Sequence, residues 1–288
     1  MSATLPLHPP TALEYFATLV AEDRGLNLLE AAAAIALDEH PELDVQSVLA
    51  EVGAQAARLR QRLPADASPA HRLRLLNHFF SKELGFAGNV NNYYERANSY
   101  VHRVLATRRG IPITLAVIYL ELAAQIGLEA QGVSFPGHFL IKLHLPQGEV
   151  VLDPFTCESL SREALEEALL PYRGEDAAAA AAPPLEHYLR GVPPRQVLAR
   201  MLRNLKEIHR SEGDWQALLA VQQRLLLLLP QEALEWRDRG LVLEALGHWQ
   251  GAAADLQRYL SLRPSAADAA EIGARLAALR ARDLPPLH

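Results

Sequence analysis

An α+β fold is predicted, in which a helical N-terminal region and a small antiparallel sheet are followed by an all-α run of helical repeats. Three observations predict it. Segments rich in Ala, Leu and Glu with helical spacing fill the first 80 or so positions; the apolar period shifts to two after Gly127; and beyond a stretch of alanines and prolines the chain repeats itself every 34 residues.

From about Thr11 to Leu63, "PTALEYFATLVAED", "NLLEAAAAIALDEHPELD" and "VQSVLAEVGAQAARLRQRL" read as helices, broken at Gly25 and Pro41. "PADASPAHRLRLLNHFFSKEL" is a polar turn that opens another helix. "GFAGNVNNYYERANSYVHRVLATRRG" mixes Gly, Asn and Tyr without a sustained period and predicts a wrapping loop with short helices. "ITLAVIYLELAAQIG" is apolar almost all round, as in a helix enclosed by other elements, and Pro112 suits its first turn. "AQGVSF", "HFLIKLHL" and "EVVLDPF" then alternate as strands, with "LPQGE" as a hairpin turn.

The run "RGEDAAAAAAPP", residues 173 to 184, reads as a linker. Past it, "GDWQALLAVQQRLLLLLP" set over "GHWQGAAADLQRYLSLRP" superposes Gly213 on Gly247, Trp215 on Trp249, Gln216 on Gln250, Arg224 on Arg258 and Pro230 on Pro264. The 34-residue period is that of tetratricopeptide (TPR) repeats, paired helices that bury a face only against the next pair. With Pro264 closing a repeat that opens at Ala233, the positions Trp236, Gly240 and Ala252 carry the expected Trp and small residues. The preceding unit has Lys206 and Leu218 where small residues belong, and "SAADAAEIGARLAALRAR" reads as a C-terminal capping helix.

Composition narrows the function. The formal charge is -6, with 28 Lys plus Arg against 34 Asp plus Glu, and no basic run tracks a phosphate backbone, so direct nucleic-acid binding is not expected. The single cysteine excludes an internal disulfide and a multi-thiolate metal site. No basic-then-apolar leader opens the sequence, and no uncharged apolar run reaches the roughly 18 to 20 residues that span a bilayer. A cytoplasmic protein without membrane attachment, metal or cofactor is expected.

Two residues draw the chemistry together. His138 and Asp153 sit on neighbouring predicted strands, where a carboxylate can fix an imidazole's tautomer while its other nitrogen faces a nucleophile. The hairpin decides whether they meet. An even loop, Leu145 to Gly148, places Asp153 opposite Leu140 and diagonal to His138, about 7 to 8 Å away at the backbone; an odd one turns Asp153 away unless a bulge restores the parity. His144, on the same face, lies too far along the strand to share a metal with His138. Thr114, near a helix start, is a candidate nucleophile or a hydroxyl satisfying a backbone group. Cys157, just past "LDPF", is a weaker candidate nucleophile or a small buried residue. Asn98, Ser99, Arg109 and Pro136 are candidates to line the same cleft; the first two also suit bracing a long loop, and Arg108 with Arg109 a basic turn ahead of a helix.

The order of parts resembles the transglutaminase-like, papain-related fold. More closely, "GFAGN", "NSYVHRVLATRRGIPITLAVIYLELA", "FPGHFLIKL" and "LDPF" followed by TPR repeats resemble the bacterial family of regulators of sirC expression with transglutaminase-like and TPR domains, over roughly Ala12 to Arg280. The resemblance implies a transglutaminase-like domain with N-terminal helices over 1–175, an Ala/Pro linker over 176–187, and TPR helices over 188–288. It also makes His138 and Asp153 the histidine and aspartate of a triad. The cysteine that would complete it belongs near Ile111, Pro112 or Ile113, and none is there. A noncatalytic domain joined to repeats that bind a protein or peptide partner is the reading favoured; an amide or ester hydrolase or acyltransferase using Thr114 or Cys157 is the alternative.

Overall fold

The computed structural model describes residues 9–172 and 183–282, which divide into two compact units. One comprises Gly25–Ala36 and Glu42–Met201. The other gathers the described residues up to Arg24, the short stretch Leu37–Pro41, and those from Leu202 onward. The fold is α+β, as the alternation of periods predicts. The expected linker lies outside the described residues up to position 182; just beyond, Leu185–Tyr188 forms a short helix, here α8.

The first unit is built around α6 (Pro112–Gln125). Ten of its fourteen residues are buried, from Pro112 to Ala123, because neighbours meet it on nearly every side. Around it pack α2 (Leu28–Ala34), α3 (Val45–Arg60), α4 (Pro69–His78) and α5 (Val101–Thr107). Side chains start three of these helices: Asn27, Asp44 and Ser68 each accept a hydrogen bond from the first turn. A π-turn, Phe79–Glu83, continues α4. Two short parallel strands, β1 (Ala87–Gly88) and β2 (Arg109–Gly110), bracket the Asn- and Tyr-rich segment, which holds a 3-10 turn (Arg96–Ser99) and α5.

The main sheet has the order β3-β4-β5-β6, all antiparallel, from β3 (Ala130–Val133), β4 (Leu140–Leu145), β5 (Gly148–Asp153) and β6 (Glu158–Ser159). Its pleat sorts the apolar residues. Val133, Leu140 and Val151 pack with Phe135, with Leu165 and Leu169 of α7 (Arg162–Leu169) and with Leu185 of α8, while the alternate residues Ile141, Leu143 and Leu152 are buried on the other face. Leu145 pairs with Gly148, so the hairpin loop is two residues, Pro146 and Gln147, rather than four. The register is nevertheless the expected one: His144 faces Glu149 and Ile141 faces Leu152, and one step further Leu140 stands opposite Asp153.

The second unit shows the repeat in its backbone. Helices α10 (Trp215–Leu228) and α12 (Trp249–Leu262) start and stop 34 residues apart, and the glycines before them, Gly213 and Gly247, share a left-handed φ of 71° and 79°. Their partners are the C-terminal part of α9 (Pro194–Glu212) and α11 (Ala233–Ala245), and α13 (Ala269–Arg282) closes the array against α12. α11 and α12 pack tightly at Gly240, where a Cβ would fall 2.8 Å from Leu256, and Ala252 on α12 is fully buried. Ala252, Leu256, Tyr259, Ile272 and Leu279 form the core there. Lys206, standing at the small-residue position of the earlier repeat, is buried with its Nζ 2.6 Å from Glu235 and 2.7 Å from Asp238. The N-terminal helix α1 (Ala12–Leu19) belongs to this unit: Phe16 is fully buried beneath the Arg224 guanidinium, which pairs with Asp38.

Candidate functional site

His138 lies in the turn that precedes β4, not in the strand predicted to begin with it. Phe135 to His138 form a β-turn closed by the His138 N–H to Phe135 O bond of 3.1 Å, with Pro136 and then Gly137 at its corner. Gly137 has a φ of +68°, which a glycine after a proline adopts without strain, as in a type II turn. The turn lifts the imidazole to the end of the sheet. There His138 Nε2 meets Asp153 Oδ1 at 2.9 Å, with the two side chains 30% and 15% exposed. Asp153 Oδ1 also accepts from the Phe155 N–H at 2.8 Å, which fixes the carboxylate at the strand end. The pair predicted from hairpin parity is therefore formed, and among the described residues no partner occupies His138 Nδ1.

The segments that carry the resemblance converge next to this pair. Gly88 of "GFAGN" donates to Phe155 O at 2.9 Å, and Ala87 and Asn89 donate to Arg108 O and Gly110 O of "RRG". The Phe155 ring covers Gly88 so closely that a Cβ there would lie 2.2 Å from it. Asn98 is buried and braces its loop: its side-chain N–H groups donate to Asn92 O at 2.6 Å and Tyr93 O at 3.1 Å, its Oδ1 accepts from Asn89, and its carbonyl receives the Ile111 N–H. Ser99 is buried beside it, its hydroxyl without a partner among the described residues. Arg109 is spent on backbone, donating to Gly85 O at 2.6 Å and to Arg108 O.

Neither candidate nucleophile is hydrogen-bonded to His138 among the described residues. Ile111 caps α6, and Ile111, Pro112 and Ile113, where the resemblance would put a cysteine, are all buried. Thr114 is fully buried, and its Oγ1 bonds neither His138 nor any backbone group. Cys157 sits in the turn between β5 and β6 with a left-handed φ of 61°; its N–H donates to Asp153 O, but its thiol turns to the Asn77 carbonyl at 3.7 Å. Burial pushes the Cys157 thiol up to about 11, the reverse of an activated thiolate. His144, on β4, faces Glu149 at 3.2 Å, and among the described residues no three His, Cys, Asp or Glu side chains gather as a metal site.

One residue at the site was not singled out by sequence reasoning. Arg200, on α9, donates to Ser134 Oγ at 2.6 Å and to the carbonyls of Phe135 and His138 at 3.3 and 2.8 Å, so it clasps the turn that holds the histidine. It lies 62 residues beyond His138 in an ordinary amphipathic pattern, and nothing local marks it.

Comparison with known proteins agrees with the fold class. The profile described as "Transglutaminase-like superfamily" matches residues 46–203, and one described as "Tetratricopeptide repeat" matches residues 205–277. A UPF0162 protein of Xylella fastidiosa is 38% identical over 85% of this chain and 86% of its own, and one of Pseudomonas aeruginosa is 30% identical over 91% and 94%. Human F-box only protein 21 is 41% identical over 70 residues, which are 24% of this chain and 11% of that protein. The chain belongs to the transglutaminase-like superfamily and, within it, to the UPF0162 proteins.

Proposed function

We propose that the protein is a scaffold: a noncatalytic transglutaminase-like unit joined to TPR helices that hold a protein or peptide partner. A regulatory role in the cytoplasm, as the resemblance to sirC regulators implies, belongs to the same proposal. The observation that carries it is the third position of the triad. His138 and Asp153 are paired at 2.9 Å, yet among the described residues the buried Thr114 hydroxyl has no partner and the Cys157 thiol is hydrogen-bonded to Asn77 O. A general base accelerates attack only when the nucleophile's proton is within hydrogen-bond reach. The repeats supply the binding surface, where Trp215, Leu234 and Trp249 stand exposed on successive helices. No helix among the described residues is long and apolar enough to cross a membrane.

Affinity capture from a cell extract tests the reading. Replacing Trp215 with Ser, Leu234 with Glu and Trp249 with Ser together is expected to remove the proteins held by the repeats while His138→Ala keeps those proteins, with helical content unchanged by circular dichroism in both. An unchanged set of partners in the triple variant would end the scaffold reading. The open Nδ1 of a part-exposed His138 favours a second reading, hydrolysis or acyl transfer through Thr114 or Cys157. It requires turnover of an amide or ester that is lost in both His138→Ala and Asp153→Asn.

A further inference from the structure

The turn that Arg200 clasps leaves part of its guanidinium unused. A guanidinium has five N–H donors; two on Nη1 and one on Nη2 go to Ser134 Oγ, Phe135 O and His138 O, so Nε–H and one Nη2 hydrogen are left over. All three acceptors are neutral. Arg62, Arg108 and Arg162 of the same unit each meet a glutamate, whereas no carboxylate among the described residues pairs with Arg200. The side chain is half-buried, and burial pulls its pKa down. Asp153, whose Oδ1 meets His138 and accepts from the Phe155 N–H, forms no ion pair with Arg200 among the described residues. A partly desolvated cation bonded only to neutral groups favours an anion close by.

What surrounds it suits a peptide. The Tyr172 hydroxyl rests on Gly137, where a Cβ would be 1.9 Å from it, so this phenol sits directly over the turn. The Tyr93 ring lies 6.2 Å from Phe155, with Tyr94 edge-on to it at 5.2 Å. Both Tyr93 and Tyr172 are near enough to Arg200 to interact with its charge. Tyr93, Tyr94 and Tyr172 are 41%, 82% and 55% exposed. Tyrosine offers a flat apolar ring and a hydroxyl at little cost in side-chain entropy, which is why it is frequent where proteins bind each other.

We propose that Arg200, Tyr93, Tyr94, Tyr172 and the open edge of His138 form a binding site for an acidic peptide, gripped by the carboxylate of a glutamate or aspartate. The carboxylate takes the unused Arg200 donors and a tyrosine hydroxyl, and the flanking residues lie on the rings. A planar carboxylate matches a guanidinium edge with two parallel hydrogen bonds, a fit that a lysine would not reproduce. All of these residues belong to the transglutaminase-like unit, so the site stands or falls separately from the partner surface of the repeats.

Fluorescence anisotropy with the full chain tests it, using a labelled, end-capped pentapeptide whose central glutamate is flanked by leucines. The glutamine counterpart is expected to bind about tenfold or more weakly, the scale of one charge-assisted hydrogen bond. Tyr172→Phe, which leaves the Arg200 bonds to the turn in place, is expected to weaken the glutamate peptide severalfold, and Arg200→Lys more. Absence of saturable binding, or equal affinity for the glutamate and glutamine peptides, overturns the proposal. Acetate alone binding as tightly as the peptide would overturn the peptide as its occupant. Inorganic phosphate displacing the peptide at lower concentration than acetate would overturn the carboxylate.

Discussion

Gly137 combines two demands that a side chain cannot meet. Its φ of +68° is a conformation that β-carbons disfavour, and its missing Cβ is where the Tyr172 hydroxyl rests. Gly137→Ala is therefore expected to destabilise the unit by about 1 to 2 kcal/mol in urea unfolding; a neutral result would mean the turn relaxes freely. Cys157 gives a second expectation at this scale. Its folded pKa of about 11 exceeds the ordinary thiol value of about 8.5, so the folded chain keeps a proton that the unfolded chain has lost between those values. Its contribution to stability is therefore full below about pH 8.5 and is lost as pH rises toward 11. Alkylation by iodoacetamide at pH 7.5, followed by mass spectrometry, should run roughly a hundredfold slower in the folded than in the urea-unfolded protein. The His138–Asp153 pair was legible in the sequence because the even loop sets Asp153 opposite Leu140, although His138 itself stands in the turn before the strand, where a period of two does not place it. Arg200 was not legible, because its three acceptors are a hydroxyl and two carbonyls more than 60 residues away, and no local spacing encodes that contact.

The hairpin and the repeats were predicted by different means. In the hairpin, the register came out right although the loop proved shorter, because shifting both ends of a loop by one residue preserves the pairing. In the repeats, a 34-residue period set helix boundaries to the residue: α10 and α12 each start two residues after a left-handed glycine, although Asp214 caps the first with its side chain and His248 does not cap the second. Two of the three glycines in this unit's helices, Gly240 and Gly273, separate packing from propensity. Gly240 has Leu256 2.8 Å from its absent Cβ, while Gly273 on α13 has nothing within 4 Å. Gly240→Ala is expected to destabilise by about 1 to 3 kcal/mol through overpacking, and Gly273→Ala to stabilise by up to about 1 kcal/mol through helix propensity. Thermal unfolding of the two variants checks the opposite signs. Lys206 shows what a pattern misses: at a position expected to be small, a long cation is buried because Glu235 and Asp238 on the next helix receive it.

Across the whole molecule, the fold class and the order of its parts could be read from periodicity and motif order, and the family profiles match residues 46–203 and 205–277 accordingly. The membership of α1 could not. It joins the C-terminal repeats through Phe16 under Arg224, a contact across some 200 residues that depends on the finished fold. The proposed function rests on one relation, a formed His–Asp pair that no hydroxyl or thiol among the described residues joins. Intact-protein mass spectrometry after incubation with p-nitrophenyl acetate measures that relation directly, with wild type and His138→Ala side by side. The account predicts no stoichiometric acyl adduct that depends on His138. An adduct on Thr114 or Cys157 in the wild type that disappears in His138→Ala would contradict it.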